Sequence, residues 1–294
     1  MSVDADVAGG AEGRRPKEPE ECVEVIGTRV DITSYASVLD SLHEDYPGSR
    51  GRTYAFCNVH SVMTARRDPA VRRALAEADF CTPDGMPLVW VLRRRGAPNQ
   101  NRVYGPDLME QALQHGVELG WRHFLLGATP ETLYRLAERA RTLAPDVRIV
   151  GTYSPPFRPM TPEEESDVLD TIRASGANIV WIGLGMPKQE LWMARVRAQL
   201  PGIHLLAVGA AFDLISGTVR QAPDWMQDHG LEWVYRLWRE PRRLWRRYLF
   251  NNPAFAVLAT AETVGTQLRR PSGLLLSQLS RWRLRGSRRR SWPR

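Results

Sequence analysis

The chain has 294 residues, 43% hydrophobic and 25% charged, with 40 Lys and Arg against 33 Asp and Glu and a net charge of +7. That length accommodates one large α/β core with an appendage, or at most two small domains, and the composition excludes wholesale disorder. Three cysteines without CxxC spacing (Cys22, Cys57, Cys81) indicate neither a disulfide framework nor a zinc site, and no apolar run approaches the length of about eighteen residues that a membrane span needs.

The charge is unevenly placed. Residues 232–294 carry fifteen arginines and three acidic residues (Glu232, Glu240 and Glu262), a net charge of +12, which leaves −5 for everything before them. A basic end of this kind suggests a polyanionic partner such as anionic lipid, a lipid diphosphate or nucleic acid. Of the 40 basic residues only Lys17 and Lys188 are lysines, a bias that genomic base composition can produce.

Residues 1–20 are rich in Gly, Ala, Pro and charge, lack an apolar signal core and are expected to be a disordered tail. A cytoplasmic protein is expected, with attachment to a membrane surface left open. Cys22 to Ile26 alternates as a strand, Ser34 to Leu42 has helical periodicity, and Thr53 to Cys57 is a buried strand. Helices follow over about Val59 to Arg66 and Pro69 to Ala78. Phe80-Cys81-Thr82 then ends a strand, and Pro83-Asp84-Gly85-Met86-Pro87 makes a tight turn into a helix reaching Arg95. Gly85 is expected to take an unusual backbone angle there. Asp84 is either a base at the carboxyl end of a sheet or the cap of the helix that follows.

Gly105-Pro106-Asp107 opens a helix to about Leu119, and His123 to Leu126 is a strand ending at Gly127. Pro130 to Leu143 is helical, Val147 to Tyr153 extended, and Pro162 to Ala174 helical with three glutamates in its first turn, as the helix dipole favours. Ile179 to Ile182 is a strand ending at Gly183, Pro187 to Leu200 a helix, and His204 to Val208 a strand. The alternation predicts a Rossmann-like α/β domain, a mostly parallel sheet with helices on both faces. From Trp225 to Phe250 apolar residues recur at spacings of three and four with arginines between them, and Pro241 should split or kink the stretch. The expected organisation is a tail over 1–20, a core over 21–222, a helical Arg/Trp-rich appendage over 223–265 and a basic disordered tail over 266–294.

Four strand ends, at Cys57-Asn58, Thr82 to Gly85, Gly127-Ala128-Thr129 and Gly183-Leu184-Gly185, could bind an anionic ligand; the two glycine turns could bring backbone N–H groups close to a phosphate, or could serve tight packing alone. Arg102 could pair with a phosphate or with a nearby carboxylate. There is no GxGxxG after the first strand, no Walker A lysine motif, no GxSxG elbow and no metal-holding DxD inside the core, and the six histidines show no ligand spacing.

The order of motifs is more specific than any one of them. Asn58, Thr82 to Pro87, Arg102 to Leu108, Gly183 to Glu190, Val208 to Asp213, Ala222-Pro223 and Leu231 to Leu237 with Arg246-Arg247-Tyr248 closely resemble the WecG/TagA/CpsF glycosyltransferase family, from about Val23 to Phe255. The resemblance implies inverting transfer from a UDP-sugar to a polyprenyl-diphosphate-linked sugar at the inner face of the bacterial membrane, feeding surface polysaccharide or teichoic acid. It implies no metal and no cofactor. By position, Asp84 matches a general base, Asn58 a polar neighbour, and Arg102 and Gln189 substrate contacts. Gly127, Gly183, Gly185 and Asp213 are added as substrate-binding positions. Arg236, Arg239, Arg243, Arg246 and Arg247 are expected to touch the diphosphate or an anionic membrane surface. Phe56 departs from the threonine common at that position, which removes a hydroxyl contact. Nucleic acid is not expected as a partner, and homo-oligomerisation is left open. The rival readings are a nucleotide-binding oxidoreductase or epimerase on the same fold, and a non-enzymatic membrane adaptor.

Overall fold

A computed structural model describes residues 21–43 and 51–269, so the expected tail over 1–20 lies outside the described residues, as does all of the tail expected over 266–294 except residues 266–269, which are helical. The chain opens with a small antiparallel hairpin, β1 (Cys22–Val25) and β2 (Thr28–Asp31), followed by α1 (Tyr35–His43). The second hairpin strand was not anticipated. Ile26 and Gly27 both take positive φ, 51° and 74°, the backbone of a tight two-residue hairpin turn, and a β-branched isoleucine gives no sequence signal for it.

The core alternates as expected: β3 (Thr53–Cys57), α2 (Val59–Arg67), α3 (Pro69–Glu77), β4 (Phe80–Pro83), α4 (Met86–Arg94), α5 (Gly105–Glu118), β5 (Arg122–Gly127), α6 (Pro130–Leu143), β6 (Arg148–Tyr153), α7 (Pro162–Ser175), β7 (Ile179–Gly183), α8 (Lys188–Val196), β8 (His204–Ala207) and α9 (Ala211–Ile215). Six strands form one sheet in the order β4-β3-β8-β7-β5-β6, with every neighbouring pair parallel. From β3 the chain steps to the β4 edge, crosses to β5 and the β6 edge, and returns through β7 and β8 to the middle.

Successive side chains along a strand point to opposite faces, and both faces are apolar, the pattern of a sheet buried on two sides. Ala55, Cys57, Phe124, Leu126, Val180 and Ile182 enter one core, which α2, α4, α7 and α8 cover. Tyr54, Phe56, Leu125, Trp181 and Leu206 enter the other, closed by α1, α5, α6 and α9.

The C-terminal segment forms α10 (Asp224–Asp228), α11 (Glu232–Arg239) and α12 (Pro241–Arg269). The break falls at Glu240, and Pro241 begins the new helix, where its missing N–H and preset φ cost nothing. Phe255 and Ala259 of α12 are buried in the first core, and Arg95 ties that helix down through Thr263 and Glu262. No helix among the described residues is long and apolar enough to cross a membrane.

Candidate active site

Parallel strands place all their carboxyl ends on one edge of the sheet, where open α/β folds bind ligands. Here the tips run in the order Asp84, Asn58, Val208-Gly209, Gly183 and Gly127. Two clefts open along that edge.

The first, an open cleft of about 690 Å³, lies between the β3 and β4 tips and the C-terminal helices, with Asn58, Asp84, Arg102, Glu232, Arg236 and Arg247 among its lining residues. Asp84 does not cap the helix after it: the N-cap of α4 is Gly85, which makes no side-chain cap bond. Its Oδ1 instead accepts the first backbone N–H of α5, from Gly105 at 3.2 Å, and its Oδ2 accepts from the Asn58 amide at 3.4 Å. Asn58 is itself pinned, since its Oδ1 accepts the N–H groups of His60 and Ser61 and caps α2. Gly85 has ordinary extended angles, φ −116° and ψ 139°, so the expected unusual backbone is absent; an added Cβ there would stand 3.3 Å from the Asn58 Cβ, and close approach is what favours glycine.

Burial pushes the Asp84 carboxyl above its ordinary value, the Arg102 charge opposes that push, Glu232 adds to it, and the bonds from Gly105 and Asn58 pull it back down. Arg102 donates from Nε to the Asp84 carbonyl at 2.5 Å and from Nη2 to Glu232 Oε2 at 2.6 Å, while its guanidinium lies 3.6 Å from the Tyr104 ring centre. Both readings of Arg102 therefore stay in play: it sits in the cleft and it is paired with a carboxylate.

The five arginines named for the diphosphate or membrane divide. Arg236 and Arg247 line the first cleft, whereas Arg239, Arg243 and Arg246 are exposed, Arg243 in an ion pair with Glu240 and close enough to Asp213 to oppose the upward push of burial on that carboxyl. Burial lowers the Arg247 pKa, and its Nε is buried without a hydrogen-bond partner. Trp238, Leu249, Phe250 and Val257 are exposed on the same helices.

The second cleft, about 1350 Å³, lies beyond the β5 and β7 tips and is bordered by Ala128, Thr129, Gly183, Lys188, Arg195 and Asp213. Gly127 and Gly183 are paired in register. A Cβ on Gly127 would stand 2.5 Å from the Gly183 backbone, and one on Gly183 would stand 2.6 Å from the Phe212 ring, so tight packing alone demands both glycines. Gly185 differs: it takes φ 77° and faces open space. Ala128, at the cleft rim, holds a positive φ of 54°.

Gln189 is buried, 4% exposed, and its amide is spent inside the protein. Its Oε1 accepts the Gly185 N–H at 3.1 Å, and its Nε2 donates to the Ala207 carbonyl at 2.7 Å and to Glu190 at 3.0 Å. The amide thus joins the turn after β7 to the end of β8. Among the described residues no group of three or more His, Cys, Asp or Glu could hold a metal ion.

The family model described as the glycosyl transferase WecG/TagA/CpsF family matches residues 23–269. The chain belongs to that family. It is therefore a glycosyltransferase of cell-surface polysaccharide synthesis, working on a nucleotide-sugar donor and a sugar acceptor. Within this glycosyltransferase, sequence reasoning missed Glu232 and Tyr104 as parts of the first cleft. A lone acid in a run dominated by arginine was the available signal for Glu232.

Proposed function

We propose that the enzyme moves a hexose, of the N-acetylmannosamine type or another, from a UDP-sugar to a polyprenyl-diphosphate-linked sugar at the inner face of the bacterial membrane, with inversion and without a metal. The observation that carries this reading is the Asp84 carboxylate lining one cleft with Arg102, Arg236 and Arg247. Asp84 takes the proton of the acceptor hydroxyl as that oxygen attacks the anomeric carbon. The carbon–oxygen bond to UDP breaks on the opposite face, and its electron pair leaves with the diphosphate. A positioned base contributes about 10²–10⁴-fold.

Burial makes Asp84 a stronger base than a solvated aspartate, which suits that step. The leaving diphosphate gains negative charge as the bond breaks, and fixed guanidinium groups meet it in a site where water is scarce. The cleft beside Gly183, Lys188 and Asp213 offers room for the nucleoside end of the donor on the same sheet edge. The exposed Trp238, Leu249 and Phe250, with Arg239, Arg243 and Arg246 on the same helices, match a helix lying in a membrane surface of anionic lipid.

The test incubates purified protein with UDP-linked N-acetylmannosamine, its uronic acid and glucose, a soluble prenyl-diphosphate sugar acceptor, and EDTA present or absent. Transfer that persists in EDTA and yields the inverted anomer by NMR supports the proposal. Transfer lost in EDTA and restored by Mg²⁺ or Mn²⁺, or a retained anomer, overturns it.

A further inference from the structure

Glu232 is one of three acids in a strongly basic end of the chain, yet it is directed inward, with its side chain 15% exposed. Its Oε2 accepts from Arg102 at 2.6 Å, and its Oε1 pairs with Arg236 at 2.7 Å and accepts from the Tyr104 hydroxyl at 3.2 Å. Arg236 also donates to that hydroxyl at 3.3 Å. Arg102 in turn holds the carbonyl of Asp84 itself. A continuous chain of bonds therefore runs from α11 to the backbone of the candidate base, through partners 128 and 130 residues away in sequence.

We infer that Glu232 is a positioning residue, through which the C-terminal helices hold Arg102 against the Asp84 turn and keep the Asp84 carboxylate basic. This rests on the reading of Asp84 as the base. Two effects act in one direction. The Glu232 charge raises the basicity of its carboxylate neighbour, and by occupying Arg102 it keeps that cation from pairing with the Asp84 oxygens. Burial disfavours the Glu232 charge, but Arg236 and Arg102 outweigh it and hold its carboxyl below the usual range, which favours its charged form. The other charged or titratable groups facing the pair are Tyr104, Arg247 from α12, Asp107 from α5, and His60 from α2, which burial and the neighbouring Arg247 and Arg67 hold neutral down to about pH 4. Of these, Asp107 also places a carboxylate near Arg102, but Glu232 is the one bonded to it.

The test compares pH–rate profiles of wild type, Glu232→Gln and Glu232→Asp with the soluble acceptor, alongside Asp84→Asn. Glu232→Gln keeps the shape of the side chain and removes its charge. It is expected to move the acid limb of kcat to lower pH and to cut kcat by about tenfold, as a weaker base should. Glu232→Asp, which keeps the charge, should retain the wild-type limb with a smaller loss. The shift of the Asp84 carboxyl followed by ¹³C NMR against pH gives a readout independent of turnover. An acid limb and an Asp84 titration unmoved in Glu232→Gln overturn the inference while leaving the base reading intact. Full activity in Asp84→Asn sinks the base reading itself.

Discussion

Asp84 accepts the first N–H of α5 through the Gly105 amide, across 21 residues of sequence, so the carboxylate lies at the positive end of a fourteen-residue helix that does not directly follow it. The helix dipole and the N–H both favour the charged form, against the burial that disfavours it. The result is a carboxylate fixed in direction and more basic than one in water.

Asp84→Asn keeps the hydrogen-bonding shape and removes the base. It should lower kcat by about 10²–10⁴-fold while donor binding, followed by calorimetry, changes little. Because burial raises the carboxyl, wild-type activity should fall, as pH drops, at a pH above that of an ordinary aspartate. Wild-type turnover persisting unchanged down to the pH at which solvated aspartates protonate would refute it.

The parallel sheet was legible because strand ends at Gly127 and Gly183 interrupt runs of β-branched and aromatic residues, and Pro241 announced the break between the last two helices. The Asp84 turn was legible because Pro83 and Pro87 restrict the backbone on either side of it, although the unusual angle expected at Gly85 is absent. What stayed hidden depends on distance. Two partners of Glu232, Tyr104 and Arg102, lie 128 and 130 residues away, and such a contact leaves no periodic trace. The amide of Gln189 was expected at the mouth of its helix, but its direction depends on a carbonyl at Ala207, eighteen residues further on, that local pattern cannot see.

Gln189→Leu therefore tests packing against ligand contact. The substitution leaves the Gly185 N–H and the Ala207 carbonyl without their partner, which costs about 1–3 kcal/mol for each group left unpaired in the interior. The midpoint of urea unfolding should fall substantially. A variant with the wild-type midpoint and only a raised donor KM would show that the amide serves the substrate.

Gly127→Ala and Gly185→Ala should differ in severity although both positions have positive φ. The left-handed backbone alone costs an alanine about 1–2 kcal/mol, and this is all that Gly185→Ala should show, because its surroundings are open. Gly127→Ala adds a collision with the Gly183 backbone at 2.5 Å, which cannot be relieved without separating two paired strands. Thermal denaturation should rank Gly127→Ala as the less stable variant by a clear margin, and the reverse order would refute the packing account.

Glu190 gives a pH dependence of stability with a defined sign. Burial raises its carboxyl from 4.5 to about 7, the Gln189 amide opposes this, and its Oε2 has no hydrogen-bond partner. Between those two values the folded chain holds a proton that the unfolded chain has lost, so this group makes stability fall as pH rises from about 4.5 to about 7, with the full penalty present above that window. The penalty is on the order of 3 kcal/mol at 1.36 kcal/mol per pKa unit. Glu190→Gln preserves shape and cannot ionise. Its melting temperature should exceed that of wild type at pH 8, and the difference should shrink toward zero near pH 4.5. A gain that is equal at both pH values, or larger at the acidic one, would mean that the Glu190 carboxyl is not held protonated by the fold.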